Sequence, residues 1–169
     1  MPVKVIGNKI FFHCDVDDDS VFELVTKIQK MEHMSSITIF VKSDGGDVYA
    51  GLCAMDHLKA SPLYITTVAD GMCASAATLI LYGGDSRLML PNSRILIHQL
   101  SSEFSGKFEE FKSEKRTLKS IMKQVRSVYE NNSEIPTEKL DKYMAEDIYL
   151  KSSTCVRYGI VSGIYGQVE

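Results

Sequence analysis

Short apolar runs alternate along the chain with stretches in which apolar residues recur every three or four positions, a pattern that predicts strands interleaved with helices. Residues 3–6 and 9–12 are rich in β-branched and aromatic side chains around Gly7-Asn8, so two short strands joined by a turn are expected. Val21, Leu24, Val25 and Ile28 share one helical face, which predicts a helix over 20–31 with Asp18 or Asp19 as its cap. An apolar strand is expected over 37–41, a glycine turn at Ser43-Asp44-Gly45-Gly46, and a helix over 48–59. The next strand is expected over 64–68 and the next helix over 76–82. Two more strands, 87–90 and 94–98, are expected around Pro91-Asn92. A long amphipathic helix follows over 107–129, with Phe108, Phe111, Leu118, Ile121, Met122, Val125 and Tyr129 along one side. After the loop 131–136, Thr137 is expected to cap a further helix. Tyr158-Gly159 reads as a helix stop before a strand at Ile160-Val161. The class is α/β, and 169 residues with 44% hydrophobic content make one domain spanning 1–169.

Charge and composition narrow the partners. A net charge of −3 offers no basic field for nucleic acid. The opening segment lacks a basic-then-apolar signal, and no apolar stretch is long enough to span a bilayer, so a cytoplasmic protein is expected. Cys14, Cys53, Cys73 and Cys155 are scattered with no Cys-x-x-Cys pair, and reduced, mostly buried thiols are expected. Cys53 and His57 stand four apart on a helix, but two ligands cannot complete a metal site. The acidic run Asp15–Asp19 fails as a calcium loop, which would need glycine at Ser20 and glutamate at Thr26.

Three segments carry chemistry. Ser75 lies in Gly71-Met72-Cys73-Ala74-Ser75-Ala76-Ala77, where small residues surround one hydroxyl as an extended segment gives way to a helical one. A serine in an alanine-rich segment commonly serves close packing, and a lone strand-end histidine is commonly a buried one bonded to a carbonyl. His13, His33 and His57 fit that plainer role, and His33 lies in a polar stretch suited to solvent. Ser75 and His98 differ because they occur with the Ser43–Gly46 turn and with Leu90-Pro91-Asn92-Ser93-Arg94-Ile95-Leu96-Ile97-His98-Gln99. A serine hydroxyl needs a nearby base, and the base needs a group that fixes its tautomer.

In this order the three segments resemble the proteolytic subunit of the Clp protease, whose counterparts read roughly Ser-Pro-Gly-Gly, Gly-x-Ala-Ala-Ser-Met and Leu-Pro-Asn-Ser-Arg-x-x-Ile-His-Gln. The resemblance runs from about Lys9 to Ile164. It implies a crotonase-like spiral of strand-strand-helix units with a protruding handle region over about 100–145. It also implies a serine endopeptidase acting on unfolded polypeptides inside an oligomeric chamber. Ser75 would be the nucleophile and His98 the base. The backbone N–H groups of Gly46 and Ala76 would form the oxyanion hole. The family's Arg-Asp-x-Phe-Met-Ser-Ala stretch falls on Glu146–Ser152 and sets Asp147, rather than Glu146 or Asp141, as the orienting acid. The long helix would stack seven-membered rings into a tetradecamer.

No metal or cofactor is implied for this chain. It carries no Gly-x-x-x-x-Gly-Lys-Ser/Thr loop, so ATP would be used by a partner unfoldase of the AAA+ class. Departures from the family pattern shape further expectations. Only Met1 to Asn8 precede the matching strand, so the axial gating loop is expected to be absent or rudimentary. Glu146 replaces an arginine, so weaker ring stacking is expected. Leu100–Gly106 replaces the glycine-rich strand of the peptide groove, so cleavage preference is expected to differ. Other readings are a non-catalytic ring or scaffold subunit, a processing peptidase without an unfoldase, and an acyl-CoA enzyme of the crotonase fold.

Overall fold

A computed structural model describes residues 3–167. Strands β1 (Val3–Ile6) and β2 (Lys9–His13) form an antiparallel hairpin. Helix α1 (Asp18–Lys30) leads to β3 (Ser36–Ser43), α2 (Val48–Ala60), β4 (Tyr64–Ala74) and α3 (Ala76–Tyr82). Then come β5 (Ser86–Met89), β6 (Arg94–Leu96), α4 (Phe108–Asn132), α5 (Thr137–Ala145), β7 (Tyr149–Lys151), α6 (Ser152–Arg157) and β8 (Gly163–Ile164). The sheet order is β1-β2-β3-β4-β5-β8, parallel beyond the first hairpin, with β6 pairing β4 and β7 off that path. This is the expected α/β architecture. Of the N-terminal segment expected to lack a gate, residues 3–6 pair into the sheet; Met1 and Pro2 lie outside the described residues.

The site depends on how β4 is built. It runs well past the expected end at Val68, because Asp70-Gly71 bends the strand without ending it. Thr66–Ala69 pair with β5, whereas Met72–Ala74 pair with β6. Ser93, only 1% exposed, fills the resulting gap: its hydroxyl accepts from Gly71 N–H at 2.8 Å and donates to Ala69 C=O at 2.9 Å. Ala69 C=O also accepts from Leu90 N–H at 3.0 Å, whereas Gly71 N–H would otherwise lack a partner, so one buried side chain lets the strand change neighbours. Beyond the bend, β4 delivers Ser75 to the start of α3, whose residues are all buried.

Several local expectations change. Asp17, not Asp18 or Asp19, caps α1: its carboxylate accepts from Ser20 N–H, and Ser20 Oγ accepts in return from Asp17 N–H. Asp18 and Asp19 sit in the first turn instead, where they face the positive end of the helix. Thr137 does not cap α5. Pro136 occupies the cap position and Thr137 is the first helical residue, since the extended backbone at Pro136 (ψ 140°) places the boundary one residue earlier. Gly159 stops α6 at φ 60°, but Ile160 and Val161 form a fully buried turn, and pairing with β5 begins only at Gly163. His13 and His57 are exposed, not buried, and His33 is exposed as its polar stretch suggests: His13 pairs with Asp70 at 3.0 Å, and His33 lies 3.1 Å from Lys30 C=O. Cys73 and Cys155 are buried as expected, but Cys53 is exposed and Cys14 only half-buried.

The long helix splits into two unlike halves. Ile121, Val125, Val128 and Tyr129 are buried, and Tyr129 Oη lies 2.8 Å from Thr78 Oγ1, which ties α4 to α3. Phe108 and Phe111 are 74% and 49% exposed, and Phe104 packs edge-on against Phe111. Leu118, expected on the outward apolar stripe, instead lines a cleft. Among the described residues no helix is long and apolar enough to cross a membrane, and no cluster of three or more potential metal ligands forms around Cys53 and His57 or elsewhere.

Candidate active site

The cleft lies between the start of α3 and the inner face of α4, with a volume of about 320 Å³. Ser75, His98, Gly46 and Ala76 all line it. Ser75 has φ 54° and ψ −126°, the only positive φ among the described non-glycine residues. A non-glycine residue persists there only when its surroundings over-determine it, and such strain gathers at functional sites. The surroundings are on view. Ser75 N–H donates to Leu96 C=O at 2.9 Å, while its own C=O accepts from Thr78 N–H and from Thr78 Oγ1 at 2.6 Å. The hydroxyl caps nothing and forms no other hydrogen bond among the described residues, so it is left facing the cleft.

Two glycines make room for this geometry. A Cβ on Gly45 would come within 2.6 Å of Ser75 Cβ, and Gly45 has φ 109°. A Cβ on Gly46 would strike the Val16 carbonyl, and Gly46 has φ 141°. Gly46 forms a parallel bridge with Val16 in which Val16 N–H donates to Gly45 C=O and Asp47 N–H donates to Val16 C=O. The bridge is therefore made by the peptides on either side of Gly46, and its own N–H is left over. Ala76, as the first residue of α3, likewise has an N–H with no partner inside the helix. The side chain of Ala76 plays no part in this donor.

His98 lies two residues beyond the end of β6, not within a strand as expected, and is half-buried. Two clamps hold its neighbourhood: Leu96 pairs with Tyr149, and Gln99 N–H donates to Met144 C=O at 2.8 Å. Between those clamps falls Asp147, in the connection from α5 to β7. Its Oδ1 is 3.6 Å from His98 Nδ1, beyond hydrogen-bond range, and its side chain is 71% exposed. The rival carboxylates are engaged elsewhere, Asp141 with Arg126 and Glu146 at 3.9 Å from Lys142. All five residues expected from the sequence thus converge on one region, although His98 forms no hydrogen bond with Ser75 and is not yet locked by Asp147. Sites of this kind commonly tighten only around substrate.

Some contributors were not expected. Ser93 is one, although it sits inside the Leu-Pro-Asn-Ser-Arg segment and the turn before it was a signal. Glu114 and Thr117 also line the cleft. Glu114 stands four, seven and eleven residues before Leu118, Ile121 and Val125, so helical periodicity alone could have placed it on the cleft face.

A hydroxyl on a strained strand-to-helix turn, with spare backbone donors beside it and a histidine across the cleft, has the parts that acyl transfer by a serine hydrolase requires. The sequence matches the family model for Clp protease over residues 5–168, and the chain belongs to that family. It is 26% identical to the ATP-dependent Clp protease proteolytic subunit of Deinococcus radiodurans, over 95% of this chain and 81% of the relative. It is 29% identical to the protein of the same name from Oltmannsiellopsis viridis, over 95% and 86%. With that from Pleurastrum terricola it shares 30% identity over 87% and 78%.

Proposed function

We propose that this chain is the proteolytic subunit of a Clp-type assembly and cleaves peptide bonds of unfolded polypeptides through an acyl-enzyme on Ser75. The observation that carries this reading is the left-handed backbone of Ser75, held against Gly45 so that a free hydroxyl faces the cleft shared with His98. In the proposed reaction Ser75 Oγ attacks the scissile carbonyl carbon while His98 Nε2 takes the hydroxyl proton. The carbonyl oxygen, now an oxyanion, accepts from Gly46 and Ala76 N–H. His98 returns the proton to the leaving amine, and water then releases the acyl group by the same steps in reverse roles. Asp147 holds the Nδ1–H tautomer of His98 once the 3.6 Å gap closes. Purified protein should react with a fluorophosphonate at Ser75, identified by mass spectrometry, and Ser75→Ala should neither label nor hydrolyse peptides. Wild-type protein that stays unlabelled and inactive would favour a scaffold role instead.

The relatives' names describe them as ATP-dependent. For this chain we infer that ATP hydrolysis falls to a partner unfoldase of the AAA+ class, with no cofactor bound by the subunit itself, and that the pair works in the cytoplasm. We also infer homo-oligomeric rings, seven-membered and stacked in pairs through the outer half of α4. The support is its exposed Phe108 and Phe111, an apolar area out of place on a free surface. Because Glu146 stands where the family has arginine, stacking should be more sensitive to salt than the contacts within a ring. Phe108→Asp with Phe111→Asp should halve the assembly mass in sedimentation. A monomer at micromolar concentration for the unmodified protein would refute the assembly.

A further inference from the structure

We propose that Glu114 makes this peptidase selective for a lysine or arginine side chain entering the cleft beside Ser75; the proposal rests on the function just described. The cleft wall supplied by α4 includes Leu118, Ile121 and Val125 beside Thr117 and Tyr129, is continued by Leu79 of α3, and carries Glu114 one turn before Leu118 on the same face. Among the described residues no lysine or arginine lines the cleft. Its other carboxylate, Asp47, is occupied as the cap of α2, accepting from Ala50 N–H at 2.8 Å.

The neighbouring acids of α4 are engaged too. Glu109 pairs with Lys112 at 2.8 Å, and Glu110 accepts from Lys107 N–H at 2.7 Å. Glu114 accepts no hydrogen bond and joins no ion pair among the described residues, and it is half-buried. A carboxylate in that position, over an apolar floor and without a cation of its own, matches a side chain that is apolar along its stem and cationic at its tip. Lysine and arginine are built that way. A purely apolar side chain would fill the floor and leave Glu114 partly desolvated without a partner, and an acidic one would be repelled.

The test compares two fluorogenic peptides identical except for lysine or norleucine at the residue before the scissile bond, since norleucine copies the lysine stem without its charge. The ratio of kcat/KM for lysine over norleucine should fall about fivefold in Glu114→Gln, the size expected for a half-exposed ion pair. Glu114→Asp should keep part of the preference, and Glu114→Lys should lose it altogether. In the unmodified protein the ratio should shrink as salt rises. A ratio that is the same in wild-type and Glu114→Gln would overturn the proposal. Binding of the same two peptides to Ser75→Ala, followed by fluorescence anisotropy, separates this idea from the reaction itself. If no peptide is hydrolysed but Ser75→Ala binds the lysine peptide more tightly and loses that preference with Glu114→Gln, the pocket reading stands and the peptidase reading falls. Equal binding of both peptides sinks the selectivity whatever the activity.

Discussion

The two walls of the cleft are built to different standards. On the nucleophile wall, Ser75 is fixed by the β4 bend, by Thr78, by Leu96 and by the close approach of Gly45, with buried Ala76, Ala77 and Leu79 behind it. On the opposite wall, His98 lies past the end of β6, Asp147 is mostly exposed, and residues 101–107 form an exposed segment without regular structure. The first wall is preorganised at the cost of backbone strain, which a folded core can hold. The second is held at its two flanks only, by the β6–β7 pairing and the Gln99–Met144 bond. A single subunit thus fixes Ser75 firmly and holds His98 and Asp147 less firmly.

Substitutions on the two walls should therefore differ in kind. Ser75→Ala should reduce peptide hydrolysis by at least about 10³-fold with an unchanged circular dichroism spectrum, because in the proposed reaction the group removed is the one that forms the bond. Detectable acyl-enzyme in that variant would break the comparison. Asp147→Asn should lower kcat by about 10²-fold, less than the roughly 10⁴-fold seen when a buried acid is neutralised, because an exposed carboxylate at 3.6 Å fixes the imidazole less firmly. A loss as large as that of Ser75→Ala would mean that the second wall is as rigid as the first.

Smaller effects probe what supports the first wall. Ser93→Ala should cost about 1–2 kcal/mol, since it removes the acceptor of Gly71 N–H and one of the two donors to Ala69 C=O, which keeps its bond from Leu90 N–H. In a domain of this size that lowers Tm by about 2–4 °C per kcal/mol, measurable by scanning calorimetry. Activity should fall along with it, because the brace aims the strand that leads into Ser75. Thr78→Val should cost about 1–2 kcal/mol, leaving the Tyr129 hydroxyl buried without its partner.

The smallest effect lies at the cap of α1. The hydrogen bond from Ser20 N–H holds the Asp17 carboxyl below its usual range. A carboxyl depressed in the folded state adds stability above its unfolded value and loses it as pH falls through the folded one. Asp17→Ala should therefore lower Tm slightly at neutral pH, and the gap to wild type should close under strongly acidic conditions. A gap that is constant with pH would mean that the cap acts without its charge.

Much of this protein was legible in its residues. Period and turn chemistry located the elements, because apolar spacing and Gly-Asn, Gly-Gly or Pro-Asn punctuation act within a few residues of one another. The Ser75, His98 and Asp147 segments could be picked out because each keeps a local pattern. What failed were decisions taken across the chain. Gly71 looks like a strand end, yet β4 continues because Ser93, 22 residues on, supplies the acceptor that Gly71 N–H lacks. The stripe on α4 looks uniform, yet α3 buries one end and leaves Phe108 in solvent. The left-handed turn at Ser75 requires Gly45 to be bare, a contact between residues 30 apart that no local preference encodes. Local sequence sets which backbone states are cheap; only the packed core can hold an expensive one, and at Ser75 it does.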